Sequence, residues 1–198
     1  MTEPKTLLQL SGANLAPARM SNSSLILIDF QNEYLTGPIA VDNAQRAIAR
    51  AAHLLSLARQ SGAPVFHIAH KGRPGGLFDR AAERGQIVPN LLPQADEAVV
   101  EKGLPNAFAG TELEDLLART GREDLILAGF MTHMCVSATA RAALDLGYRV
   151  TIDGMACATR DLPDGCGGRV AAQIIHDVSL VALSDRFAII TRDPTAFA

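Results

Sequence analysis

The chain is poor in cysteine. It has three in 198 residues, Cys135, Cys157 and Cys166, an odd number without metal-ligand spacing. That excludes a disulfide framework and a cysteine-built metal module, and reduced thiols imply a cytoplasmic protein. No apolar run approaches the ~20 residues that a membrane helix needs. Leu7, Leu8 and Leu10 lie near the start, but without a basic segment and a proper apolar stretch, so no signal peptide is expected. There is also no block of like charge. Lys and Arg number 18 against 21 Asp and Glu, a net charge of −3, which leaves no footprint for nucleic acid or a membrane surface. Internal repeats and low-complexity tracts are missing too.

What is present is a regular alternation of apolar runs and helical periodicities. Strands are expected at 24–28, 65–69, 98–100, 124–128, 149–152 and 187–190, with a further apolar run at 180–183. Helices are expected at 43–60, 112–119, 137–146 and 165–177. In the first of these Ala44, Ala47, Ile48, Ala51, Leu54, Leu55 and Ala58 recur on one face, and Gly62 closes it. Thr111 and Glu114 have capping-box spacing at the second. Strands alternating with helices predict an α/β fold: a three-layer αβα sandwich, Rossmann-like, with a mostly parallel sheet of about six strands. At 48% hydrophobic, the length suits one domain, 24–198. Residues 1–23 form a lead-in that either packs on a partner or is mobile. Residues 70–96, rich in Gly, Pro and Arg, read as a substrate-shaping loop or a solvated insertion, with a short helix at 78–84.

Three charged or nucleophilic residues stand at expected strand ends. The strand 24–28 delivers Asp29, the strand 98–100 runs through Glu101 into Lys102, and the strand 124–128 leads to a turn carrying Cys135 before a helix. In an open parallel sheet, ligands bind beyond those strand ends. A cysteine near a helix N-terminus is biased toward thiolate and could attack a carbonyl; alone, it also fits a buried structural cysteine. Asp29 alone fits a strand-end cap, and Lys102 a solvated charge. Together they fit a nucleophile, its base and a cation that steadies charge. On this reading Cys135 reacts with iodoacetamide ahead of Cys157 and Cys166.

From about Leu25 to Ile190 the chain resembles the isochorismatase-like cysteine hydrolases, which include nicotinamidases and N-carbamoylsarcosine amidase. The resemblance rests on Leu27-Ile28-Asp29-Phe30-Gln31-Asn32, on Glu101-Lys102-Gly103-Leu104-Pro105-Asn106-Ala107-Phe108 and on Gly110-Thr111-Glu112-Leu113. It rests also on Gly129-Phe130-Met131-Thr132-His133-Met134-Cys135-Val136 and on Asp153 through Thr159. It implies a catalytic triad of Asp29, Lys102 and Cys135, a cis peptide between Phe130 and Met131, and an oxyanion hole formed by the backbone N–H groups of Met131 and Cys135. It also implies homo-oligomers, a homodimer or larger.

Nicotinamidases carry an Asp-x-His metal motif after the second strand. Here that place reads Phe66-His67-Ile68-Ala69-His70-Lys71-Gly72, so no metal and no cofactor are expected. His67 and His70, three apart on a strand, point to opposite faces. Expected substrate contacts are Phe30, His70, Phe108, Phe130 and His133, although ordinary packing accounts for each aromatic equally well. True isochorismatases cleave a vinyl ether and can lack the cysteine. Keeping Cys135 therefore favours C–N hydrolysis of a small amide, ureido or carbamoyl compound. Vinyl-ether hydrolysis, a thiol redox role and non-catalytic small-molecule binding are the alternatives.

Overall fold

The computed structural model describes residues 3–94 and 96–198. Residues 1 and 2 of the lead-in and residue 95 of the 70–96 loop lie outside the described residues. Six strands form one parallel sheet: β1 (Ser23–Ile28), β2 (Val65–His70), β3 (Ala98–Lys102), β4 (Asp124–Phe130), β5 (Arg149–Ala158) and the eighth strand in the chain, Ile189–Thr191. Two short strands, β6 (Leu162–Pro163) and β7 (Arg169–Val170), make a separate antiparallel hairpin, so the last sheet strand is β8. The sheet order is β3-β2-β1-β4-β5-β8.

The sheet is covered on both faces, and the period-2 geometry of a strand shows which residues serve which face. Leu25 and Leu27 of β1, with Ile126, Ala128 and Phe130 of β4, join one core; helix α2 (Ala44–Ser61) closes it. Ile26 and Ile28, with Leu125 and Leu127, join the other. That core is closed by α3 (Leu113–Ala118), α4 (Ser137–Asp145) and α5 (Ala172–Arg186). Strands buried on both faces read as continuous apolar runs, which is why β1 and β4 were visible in the sequence. Helix α2 ends where expected: Gly62 takes φ 66°, and its N–H reaches the Ala58 and Arg59 carbonyls.

Four details differ from the sequence reading. The helix expected at 165–177 lies at Ala172–Arg186 and absorbs the run 180–183. Leu180 and Leu183 are buried one helical turn apart, so what looked like a strand is an amphipathic face. The residues before it instead turn around Asp164, whose Oδ1 accepts from the Cys166 and Gly168 N–H groups. No helix forms at 78–84; Phe78 takes φ 59° and Asp79 caps the Gly75 and Ala81 N–H groups, leaving one 3-10 turn at Glu83–Gly85. Thr111 does not close a capping box, because its hydroxyl donates to the Ala107 carbonyl at 2.6 Å and accepts from Leu113 N. A capping box does form in the lead-in, between Thr6 and Gln9, opening the short α1 (Leu7–Leu10). Leu7 N donates to Asp185 Oδ1 at 2.8 Å and Ala18 N to Thr151 Oγ1 at 3.1 Å, so residues 3–23 pack on their own chain. No helix among the described residues is long and apolar enough to cross a membrane.

Strand order reverses between β1 and β4: from β1 the chain builds outward to β2 and β3, then from β4 outward to β5 and β8. The crevice beyond the C-terminal ends of β1 and β4 is therefore where a site belongs.

Candidate active site

Asp29 stands immediately past β1 with φ 54°, a left-handed conformation rare for a non-glycine residue. Its N–H donates to the Ile68 carbonyl, and its own carbonyl accepts from Gln31 N at 2.8 Å. Lys102 ends β3, two strands away, a separation of roughly 9–10 Å at the usual strand spacing. Only a long, unbranched side chain crosses the end of β2 to reach it. Lys102 Nζ lies 2.7 Å from Asp29 Oδ2 and 3.4 Å from Cys135 Sγ. All three residues are buried, with 0%, 2% and 3% of their surfaces exposed for Asp29, Lys102 and Cys135. Neither Asp29 oxygen receives a well-aligned hydrogen bond. The ammonium sits close to one of them but off the hydrogen-bond direction.

The electrostatics reverse one expectation. Burial pushes the Cys135 thiol up to about 12; the nearby Asp29 carboxylate adds to this, and Lys102 only partly opposes it. Burial and the Asp29 charge thus oppose the thiolate expected from a helix N-terminus. A π-helical turn, Thr132–Val136, stands between β4 and α4, and Cys135 lies inside it under the protein surface. Burial likewise raises Asp29 above the ordinary carboxylate range, against the pull of Lys102. A carboxylate with a raised pKa is a better base, so the pair suits proton transfer during attack. Burial also bears on the labelling order expected for the cysteines, since Cys166 is exposed and Cys135 is buried.

The turn before Cys135 begins with a cis peptide between Phe130 and Met131. The Met131 carbonyl accepts from Met134 N at 3.0 Å and Val136 N at 3.3 Å, and among the described residues the Met131 N–H has no acceptor. Gly129 precedes the turn at φ 151°, where a Cβ would lie 2.2 Å from the Ile28 carbonyl oxygen. Only glycine lets β4 run this close to β1.

The expected substrate contacts separate into groups. Phe30 and Phe130 are buried edge to face, with ring centres 4.7 Å apart. A row continues from Phe130 to Tyr34 at 5.6 Å, to Phe78 at 5.2 Å and to His70 at 4.8 Å. His70 Nδ1 lies 3.4 Å from Lys102 Nζ. Burial, then the Lys102 charge, lowers the His70 pKa. Phe108 is not part of this row; it stacks on Tyr148 against the opposite core, because its loop follows β3 toward α3. His133 is half-buried, with Nδ1 2.6 Å from Thr159 Oγ1.

Tyr34 and Arg160 went unnoticed in the sequence. Burial, then the charges of Asp29 and Cys135, raise the Tyr34 phenol, so it belongs to the site's electrostatic field. Arg160 acts on both Tyr34 and His133; its Nε is buried without a partner, and it borders a cavity of about 410 Å³ with Val41 and Asp42. Gln31, Asn32 and Glu33 also have a task the sequence did not reveal. Gln31 Nε2 donates to the His70 and Gly85 carbonyls, and its Oε1 accepts from His70 N. Asn32 donates to the Glu83 carbonyl, and Glu33 holds Phe78 N and pairs with Arg84. The residues after Asp29 thus tie the 70–96 loop over the site. Contacts made across some 50 residues leave no periodicity to read.

His67 and His70 do not come together. His67 is buried with Nε2 3.0 Å from Glu97 Oε2, beside the Arg59 pair, whereas His70 faces Lys102. Among the described residues no three His, Cys, Asp or Glu side chains cluster in a way that could hold an ion.

The isochorismatase domain model matches residues 23–193. The chain belongs to the isochorismatase family. The crystal structure of an isochorismatase from Pseudomonas putida KT2440 superposes with a TM-score of 0.92 and 43% identity, over 96% of this chain and 97% of that one. The secreted isochorismatase effector Isc1 of Verticillium dahliae is 34% identical over 89% of this chain and 90% of its own. The maleamate amidohydrolase of Pseudomonas putida is 33% identical over 65% of this chain and 68% of its own. This isochorismatase-family chain is a hydrolase of a family whose members act on amide C–N bonds.

Proposed function

We propose that the protein is a metal-independent cysteine hydrolase that cleaves the C–N bond of a small amide, ureido or carbamoyl compound through a thioester on Cys135. The observation that carries this reading is the buried cluster in which Lys102 Nζ lies 2.7 Å from Asp29 and 3.4 Å from the Cys135 sulfur. Burying an acid, a base and a thiol together costs several kcal/mol per charge and contributes nothing to packing.

As substrate binds, Asp29 takes the Cys135 proton and the sulfur attacks the carbonyl carbon. The resulting oxyanion accepts hydrogen bonds from the Met131 and Cys135 N–H groups, each such donor contributing roughly 2.7–4 kcal/mol. Asp29 then gives its proton to the nitrogen, the C–N bond breaks and the amine leaves. Water enters, Asp29 takes its proton, and hydroxide attacks the thioester. The C–S bond breaks, and Asp29 returns the proton to sulfur. Lys102 steadies the negative charge that moves between sulfur and carboxylate. The row from Phe130 to His70 forms the apolar wall of the pocket, and Arg160, whose buried Nε has no partner, favours a substrate with an anionic end.

The fold's remaining expectations stand as parts of the same proposal: one hydrolase domain at 24–198, a cytoplasmic location, and a homodimer or larger assembly. The exposed stripe Ile174, Val178 and Val181 on α5 offers apolar surface for assembly. Sedimentation at micromolar concentration tests the last point, and a monomer would remove it. The activity is tested on a panel of maleamate, N-carbamoylsarcosine, nicotinamide and isochorismate. Ammonia or amine release that disappears in Cys135→Ala supports the thioester route. Turnover of isochorismate alone, surviving in Cys135→Ala, favours vinyl-ether hydrolysis.

A further inference from the structure

Two neighbouring residues of the nucleophile turn are each tied to a residue outside it. Thr132 Oγ1 lies 2.8 Å from His176 Nδ1 on α5, and His133 Nδ1 lies 2.6 Å from Thr159 Oγ1 just past β5. Thr132 is fully buried and directly follows Met131. A neutral ring protonated on Nε2 leaves Nδ1 to accept from the Thr132 hydroxyl, and the proposal takes the bond in that sense.

His176 and Thr159 both line one cavity of about 230 Å³, with Arg46, Gly154 and Arg192 also in its wall. None of Asp29, Lys102 and Cys135 lines it. Dense packing normally fixes a turn. No residue of the turn lines this cavity; the turn is linked to its wall through His176 and Thr159, by the two hydrogen bonds.

We propose that His176 is a positioning residue: by accepting from Thr132 it fixes the aim of the adjacent Met131 N–H at the oxyanion. The proposal rests on the thioester reading above. Misaiming a donor acts on the transition state and spares ground-state binding, so it lowers kcat and leaves KM. Losing such a donor outright costs about 10²–10³ in kcat. A misaimed one is expected to cost about tenfold or more.

The test uses the panel amide that the wild type turns over fastest. His176→Leu removes the acceptor and is expected to lower kcat at least about tenfold, with KM within about twofold. In His176→Asn the Oδ1 stands near the place of Nδ1, so most of kcat should return. In His176→Gln the longer side chain carries the amide past the place of Nδ1, so kcat should stay low. Thr132→Val removes the donor with little change of shape, and its loss should not add to that of His176→Leu in the double variant. Equal losses in the Leu and Asn variants, a loss carried by KM, or additive losses would overturn the proposal. If His176→Leu does not fold, Thr132→Val decides: a lower kcat supports the clamp and an unchanged kcat overturns it. Cys135→Ala on the same amide keeps the two ideas apart, since retained turnover there sinks the thioester reading and not the clamp.

Discussion

Two of the acid–base pairs buried among the described residues are built differently. In Arg50–Asp153 the carboxylate is well supplied: Oδ2 accepts from Arg50 Nε at 2.6 Å and Oδ1 from Met155 N at 2.9 Å. The guanidinium also donates to the Asp193 and Pro194 carbonyls. In Lys102–Asp29 the cation is buried more completely, yet neither carboxylate oxygen has a well-aligned donor, and a thiol stands 3.4 Å from the ammonium. Burial raises both carboxyl groups. The first pair has used its hydrogen-bonding capacity and locks α2 to β5. The second has capacity left over, which a substrate and a moving proton can take up. An acid buried with so few aligned donors is costly for stability, so under the proposed mechanism Asp29 is kept for chemistry and Asp153 for structure.

The largest effect should separate the pairs directly. Asp29→Asn is expected to lower kcat by about 10³-fold, since general acid–base groups contribute 10²–10⁴, while the variant still unfolds in one cooperative transition. Steady-state kinetics and thermal melts check this. Asp153→Ala should do the opposite. It strands Arg50 and should cost about 3–5 kcal/mol of stability, with kcat of the folded protein little changed. A collapse of kcat at unchanged stability in Asp153→Ala would erase the distinction.

The thiols sharpen the comparison further. Iodoacetamide at neutral pH should modify exposed Cys166 first, by about tenfold or more over Cys135, whose thiol is buried and pushed up to about 12. Peptide mass mapping gives the order, and early labelling of Cys135 would mean that Lys102 and the turn outweigh burial. The smallest effect concerns a third carboxylate. Burial alone would raise Glu97, but hydrogen bonds from Arg59, Gln94 N–H and His67 hold it down at about 2 from an ordinary 4.5. Between those values the unfolded chain binds more protons, so stability falls as the pH drops through that window. Glu97→Gln should flatten this acid limb in pH-dependent melts, and an unchanged limb would count against the Glu97 cluster.

Sequence reading reached what local pattern encodes. The strands β1 and β4 announced themselves as apolar runs, α2 by its spacing and Gly62, and the convergence of Asp29, Lys102 and Cys135 followed from strand ends in a parallel sheet. It failed where distant partners decide. Leu180 and Leu183 looked like a strand because only the packed fold tells one buried face from two. Thr111 had capping-box spacing, yet the Ala107 carbonyl claimed its hydroxyl. The thiolate argument used the helix and Lys102 but not burial, which no single residue reveals. Tyr34 and Arg160 stayed hidden because only packing carries them to the site.

The tether formed by Gln31, Asn32 and Glu33 bears on how such a chain diversifies. Acid and anchors share one short stretch, with Asp29 at its start. A length change that shifts the grips on His70, Phe78, Glu83 and Gly85 pulls on the segment that aims the acid. Lys71 and Arg80 pair with Glu101 of β3, and Asp79 holds the Gly75 and Ala81 N–H groups. New substrate preferences are therefore expected to arise most readily by replacing the side chains of Arg73, Pro74, Leu77 and Ala82, which lie between those ties, at constant length.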